Sequence, residues 1–252
     1  MCAKTILSLF AALGNTLFSA STAELPGSDF EYIAVPGRII DAEINGAGDI
    51  YILLPGQPHL RIIHAGGSIS EFDLSDVLLP GGMCIDEQWG WFVTDELTDM
   101  VYRYDNSGEP ADSWDSRGMP GDICLSGLSV LYVSRASGTI TSLEEPDDIL
   151  ARLTGSGEGQ LSGSGSRAVY SCENESLIIR NYSATESLPS AGIWVTAGGE
   201  LMVLQDSCVQ GGSGNVLWRL PEAGEFSRIS FSVNRNQCLL WSPGEGRILV
   251  LR

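Results

Sequence analysis

Short apolar runs separated by polar turns dominate the chain, and one strand-sized phrase returns about every 40 residues. Its clearest copy is Gly90-Trp91-Phe92-Val93-Thr94-Asp95, which leads into Val101-Tyr102-Arg103-Tyr104-Asp105-Asn106-Ser107-Gly108. A fixed period in this range predicts a repeat architecture, because each unit alone cannot bury its apolar face. Aligning the strand that contains Phe92 with its relatives gives Tyr51, Phe92, Tyr132, Val169, Met202 and Leu239, at spacings of 41, 40, 37, 33 and 37. Six units follow. Each reads as four short strands with turn residues between them; in the second unit these are 83–85, 91–93, 101–104 and 111–114. The expected fold is all-β, a six-bladed propeller of four-stranded antiparallel blades.

The sixth unit supplies only three strands before the chain ends, around 231–234, 237–241 and 247–251. The strand Glu31-Tyr32-Ile33-Ala34-Val35 precedes the first repeat and is predicted to complete that sheet, so that the ring closes without a long open edge. Pro36-Gly37, Pro80-Gly81 and Pro120-Gly121 stand ahead of the first strands, where proline presets a turn and glycine permits positive φ. Asn45, Asp86 and Ser126 each sit six residues before the aligned Tyr51, Phe92 and Tyr132. There a short polar side chain can bond the backbone of the first hairpin turn.

On these residues the pattern resembles the NHL-type propeller repeat: Pro-Gly, apolar strand, Asp, Gly, aromatic-Val-x-Asp, then Val-x-x-Phe/Tyr-Asp and a Gly turn. The match runs over residues 36 to 145. It weakens in the fourth unit, which is Ser/Gly-rich and begins Gln160-Leu161-Ser162-Gly163-Ser164. The stretch 154–167 reads as a long loop between blades three and four. The resemblance implies a fold, and that repeat serves binders and enzymes alike.

Residues 1–23 read as a signal peptide: Lys4, an apolar run from Ile6, and Ser21-Thr22-Ala23 as a small-residue cleavage site. The apolar run is well short of the ~20 residues that a membrane span needs. A secreted or periplasmic protein is expected, with residues 24–252 forming one monomeric domain. The net charge of −18, from 14 basic and 32 acidic residues, disfavours nucleic acid and anionic lipid as partners. Of the six cysteines, Cys2 lies in the segment removed. Cys84 and Cys124 are expected as small buried residues, and Cys172 and Cys208 as a candidate disulfide allowed by an oxidising compartment.

Histidine is nearly absent. His59 and His64 both belong to the third strand of the first blade, five residues apart and hence on opposite faces. No three-histidine zinc site can form, no histidine is placed to serve the central channel as general base, and a Ser-His-Asp arrangement is excluded for the same reason. The enzymatic alternative is a calcium-dependent lactonase like the gluconolactonase/senescence-marker family, with Asp41, Glu43 and Asp122 as oxygen ligands near the axis. Apolar residues at most positions aligned with Glu43 favour the other expectation: a non-catalytic binding or scaffold module without cofactor, recognising a protein or cell-surface component. Its candidate face carries the loops after the second strands, with Asp95, Glu96, Arg135 and Asp206 as binding residues.

Overall fold

The computed structural model describes residues 20–22, 30–155, 157–173, 175–180, 183–188, 192–205, 207–221, 226–232 and 236–252. Six antiparallel sheets form it, one for each unit of the repeat. The innermost strands are Asp41–Ile44, Pro80–Asp86, Pro120–Ser126, Gln160–Ser164, Ile193–Ala197 and Arg228–Phe231. Each touches the next and the last touches the first, so the ring is closed. The second strands carry all six aligned residues: Ile50–Leu53, Gly90–Asp95, Ser129–Ser134, Arg167–Ser171, Glu200–Gln205 and Cys238–Trp241.

Closure follows the expected route. Phe30–Ala34 pairs antiparallel with Arg247–Leu251, from Phe30 opposite Leu251 to Ala34 opposite Arg247. Ala20–Thr22 adds a fifth strand outside Phe30–Ala34. Apolar layers fill the spaces between blades; Trp91, Trp241, Tyr104, Tyr132 and Tyr170 are the largest side chains fully enclosed there. Among the described residues no helix is long and apolar enough to cross a membrane.

The turn chemistry is partly as expected. Asn45 Oδ1 accepts the N–H groups of Ala47 and Asp49, and Asp86 Oδ1 accepts those of Gln88 and Trp89. Of the three Pro-Gly pairs, only Gly37 has positive φ, +97°. Gly81 and Gly121 serve a different need: a Cβ at Gly81 would meet Pro120 O at 2.7 Å and Glu96 Oε1 at 2.8 Å, and one at Gly121 would meet Arg135 Nε at 2.6 Å. Glycine there makes room for two charged side chains to lie across the end of the ring.

The stretch 154–167 is not one long loop. Its residues Gln160–Ser164 are the inner strand of blade 4, paired with Arg167–Ser171 from Gln160 opposite Ser171 to Ser164 opposite Arg167. Crowding explains the composition. A Cβ at Gly163 would lie 1.8 Å from Leu125 O of blade 3, a separation no side chain tolerates.

Candidate functional site

In blades 2 and 3 the segment ahead of the inner strand and the loop after the second strand meet at one end of the channel. Glu96 N–H donates to Leu79 O and Arg135 N–H to Met119 O, which folds the post-strand loops down onto the Pro-Gly segments. A cavity of about 220 Å³ results, where Arg38, Asp41, Glu96, Asp122, Arg135 and Arg228 supply the charged groups. Two separate expectations therefore converge, since Glu96 and Arg135 belong to the loop face and Asp41 and Asp122 to the acidic inner strands.

Asp41 and Asp122 act as ties between blades. Asp41 accepts its neighbour's N–H, from Ala42, on Oδ1 and that of Met83 in blade 2 on Oδ2, both at 2.8 Å. Asp122 does the same with Ile123 at 2.9 Å and Leu161 of blade 4 at 2.6 Å. Burial pushes the Asp41 carboxyl well above the ordinary range, helped by the charges of Asp122 and Glu43. Burial lifts Asp122 too, against the pull of Arg228, the two backbone N–H groups and Arg135. Carboxyl groups held up in this way carry less negative charge than their number suggests.

The guanidinium groups set the sign of the mouth. Arg135 Nη1 lies 2.5 Å from Glu96 Oε1, while its Nε is buried without a hydrogen-bond partner among the described residues. Burial pushes the Glu96 carboxyl up, opposed by Arg135 and Arg38. Arg228 donates from Nη2 to Glu158 O at 2.7 Å, and Arg38 stands exposed at the rim. Beside the mouth, and sharing Arg228 and Glu158 with its surroundings, a groove of about 740 Å³ is walled by Tyr170, Cys172, Ile193 and Phe226.

Below the mouth the channel is clamped. Gln160 reaches from blade 4 to blade 6, donating from Nε2 to Ile229 O at 2.6 Å and accepting Ile229 N–H on Oε1 at 3.0 Å. A second cavity of about 140 Å³ lies at the other end, where Glu43 accepts the Ser230 hydroxyl proton at 2.5 Å. No residue lines both cavities. Burial pushes the Glu43 carboxyl up to about 7, the Ser230 hydrogen bond pulling down and the Asp122 charge adding to the rise.

Asp41, Glu43 and Asp122 do not fit a calcium ion as a set. All four oxygens of the two aspartates are committed to backbone N–H groups, and Glu43 faces the opposite cavity. Among the described residues no group of three or more His, Cys, Asp or Glu side chains is arranged to hold a metal.

Other expected positions resolve as follows. Asp95 is fully buried, accepting the N–H groups of Leu78, Leu79 and Leu97, so it shapes the loop that carries Glu96 and offers nothing to a ligand. Asp206 lies outside the described residues. Cys172 and Cys208 are free thiols rather than a bridge. Cys172 packs on the core between blades 3 and 4, whereas Cys208 Sγ accepts from Gln210 Nε2 at 2.9 Å. Cys84 and Cys124 are buried and free. Arg38 and Arg228 were missed from sequence; the signal was present, because one follows Pro36-Gly37 and the other opens the last inner strand in a chain poor in basic residues.

No protein-family model and no curated protein matches this chain. Solved structures do. A gluconolactonase from Xanthomonas campestris is 13% identical with a TM-score of 0.62, the match covering 100% of this chain and 98% of that one. A catalytically inactive virginiamycin B lyase from Staphylococcus aureus, solved with quinupristin, is 12% identical with a TM-score of 0.59, covering 93% and 99%. PorZ, a surface component of the type-IX secretion system of Porphyromonas gingivalis, is 11% identical with a TM-score of 0.55, covering 90% of this chain and 36% of that one. At these identities the likeness establishes the class, a six-bladed β-propeller. The fold alone does not select among such roles.

Proposed function

We propose that the protein is a binding module that works outside the cytoplasm and holds an acidic group of a protein or cell-surface partner in the arginine-lined mouth. One observation carries this reading: Arg38, Arg135 and Arg228 converge on a single cavity in a chain of 32 acidic and 14 basic residues. Guanidinium groups suit carboxylate, phosphate and sulfate because their planar fork matches two acceptor oxygens. The NHL-type motif and the signal-peptide pattern of residues 1–23 support a secreted or periplasmic repeat protein. The loops around the mouth stand on a closed ring, which preorganises them for recognition. The lactonase alternative shares the fold and lacks a fitting set of oxygen ligands among the residues named for it.

Titration calorimetry with succinate, inorganic phosphate, a uronic-acid oligosaccharide and an acidic peptide tests the reading. Binding of at least one, weakened by added salt and lost in Arg135→Ala and Arg228→Ala, is the expected result. Failure of all four, or binding that survives both substitutions in folded protein, overturns it.

A further inference from the structure

At the opposite end of blade 1, on the side facing blade 2, Asp49, His64 and Ser70 stand together. His64 Nε2 lies 2.9 Å from Ser70 Oγ, and His64 Nδ1 lies 3.5 Å from Asp49 Oδ2. Asp49 is itself fixed: Oδ1 accepts the Ala65 N–H at 2.8 Å, and Oδ2 accepts from Asn45 Nδ2 at 3.3 Å. A carboxylate beside Nδ1 favours the tautomer with its proton there, leaving Nε2 to accept from the serine hydroxyl. This is the order of contacts that activates a nucleophilic serine. The exclusion drawn from two histidines on opposite strand faces applies to the channel axis; it overlooked the hairpin, which folds Ser70 back beside His64.

The surroundings supply what a nucleophile needs. His64 and Ser70 line a cavity of about 640 Å³ between blades 1 and 2, with Tyr51, Ile62, Phe72 and Ile85 as its apolar surface. That volume lies within the range of small-molecule sites. Ser70 sits on Ile69–Phe72, the outermost strand of its blade. His64 N–H donates to Ser68 O, Ile62 stands opposite Ser70, and alternation along the antiparallel ladder makes that a hydrogen-bonded pair. The N–H groups of Ile69 and Glu71 therefore point to the open edge. The Glu71 N–H, one residue beyond Ser70, thus faces away from the ladder, the direction an oxyanion donor at the edge requires. Asn106 of blade 2 lines the same cavity.

We propose that Ser70, His64 and Asp49 form an acyl-transfer site that hydrolyses small carboxylic esters, a function separate from the arginine mouth. Ser70 Oγ attacks the ester carbonyl carbon while its proton passes to His64 Nε2. The carbon–oxygen bond to the alcohol then breaks, and His64 returns the proton to the departing oxygen. Water repeats the sequence on the acyl-serine: it gives a proton to Nε2, adds its oxygen to the carbonyl carbon, and releases the carboxylic acid as Ser70 Oγ recovers that proton. Asp49 is a positioning residue, holding the imidazole and favouring the imidazolium formed in each half.

The full chain, treated with a fluorophosphonate probe and assayed with p-nitrophenyl acetate and butyrate, tests the proposal. Peptide mapping should place one adduct per chain on Ser70. Ser70→Ala and His64→Gln should lose labelling and ester turnover by at least ~100-fold, the usual weight of general-base catalysis, with unchanged melting temperatures. Asp49→Asn should lower kcat and leave KM in place, and Leu128→Ala, at an exposed turn of blade 3, should change neither. An adduct elsewhere, equal labelling of His64→Gln, or turnover no faster than free imidazole overturns it; labelling of the unmutated chain stands even if a variant fails to fold.

Discussion

Blades 1 and 3 tie themselves to the next blade with an inner-strand aspartate, whereas blade 4 makes the same kind of tie with serine. Asp41 and Asp122 accept the N–H groups of Met83 and Leu161. Ser162 Oγ accepts the N–H of Thr196 at 3.0 Å, and Ser171 Oγ that of Trp194, also at 3.0 Å. The ring requires an acceptor where one inner strand offers unpaired donors to the previous one; it does not require a charge. The aspartates bring carboxyl groups into an enclosed space and hold them above their ordinary pKa. The serines, between blades 4 and 5, bring no such tension; blade 4 meets blade 3 across the Asp122 tie, where Gly163 lies against Leu125.

The largest expected effect breaks the comparison at that close approach. Gly163→Ala places a Cβ 1.8 Å from a backbone oxygen, so a strand of blade 3 or 4 must move. The expected cost is about 4 kcal/mol, at the upper end of single substitutions, read as a lower urea midpoint. A variant as stable as the parent would show that blades 3 and 4 are not pressed together.

Charge near the axis gives the next effect. Burial lifts the folded-state Glu43 carboxyl from the ordinary 4.5 to about 7, so its contribution to stability is fully present below pH 4.5 and is lost as pH rises to about 7. The change across that window is on the order of 3 kcal/mol, at 1.36 kcal/mol per pKa unit. Glu43→Gln retains an acceptor for the Ser230 hydroxyl and should flatten the stability profile between pH 4.5 and 7. Parallel profiles for the two proteins would place Glu43 in water rather than in the enclosed end of the channel.

Asp122 separates the hydrogen bonds from the charge. Asp122→Ala removes the acceptor for Ile123 and Leu161, with an expected loss of about 2 kcal/mol, the range for hydrogen bonds to charged groups. Asp122→Asn keeps one acceptor oxygen and should lose about half as much. Equal losses would assign the effect to charge alone.

The period and the alternation made the ring readable because an apolar strand face must be buried whatever the function. Closure by residues 31–35 followed from counting strands. Blade 4 was obscured because the geometry there demands small residues, and Ser-Gly runs also describe linkers. Glu96 and Arg135 could be named from their place after second strands, and Asp41 and Asp122 from alignment. Their meeting in one cavity depends on how deep Gly81 and Gly121 let the side chains lie, which no spacing encodes. Ser70 was invisible for another reason: a hairpin of five linking residues sets which side chains face His64, and strand alternation says nothing about partners across a turn.

Ser162 gives the smallest effect and the sharpest reading of the opening contrast. Ser162→Ala leaves the Thr196 N–H without its acceptor but removes no charge, so it should cost about 1 kcal/mol, the net worth of one neutral hydrogen bond. Ser162→Asp would put a carboxyl acceptor on the inner strand of blade 4, at the cavity that Glu43 faces. Its carboxylate could take the Thr196 N–H, yet burial would penalise the charged form, so this variant should be less stable at pH 7 than at pH 4.5, while the parent and Ser162→Ala differ by a constant amount across that range. Urea midpoints for the three proteins at the two pH values decide the matter. If Ser162→Asp shows no added dependence on pH, the inner strand of blade 4 is open to water at Ser162, and the serine tie would then reflect solvent access rather than enclosure.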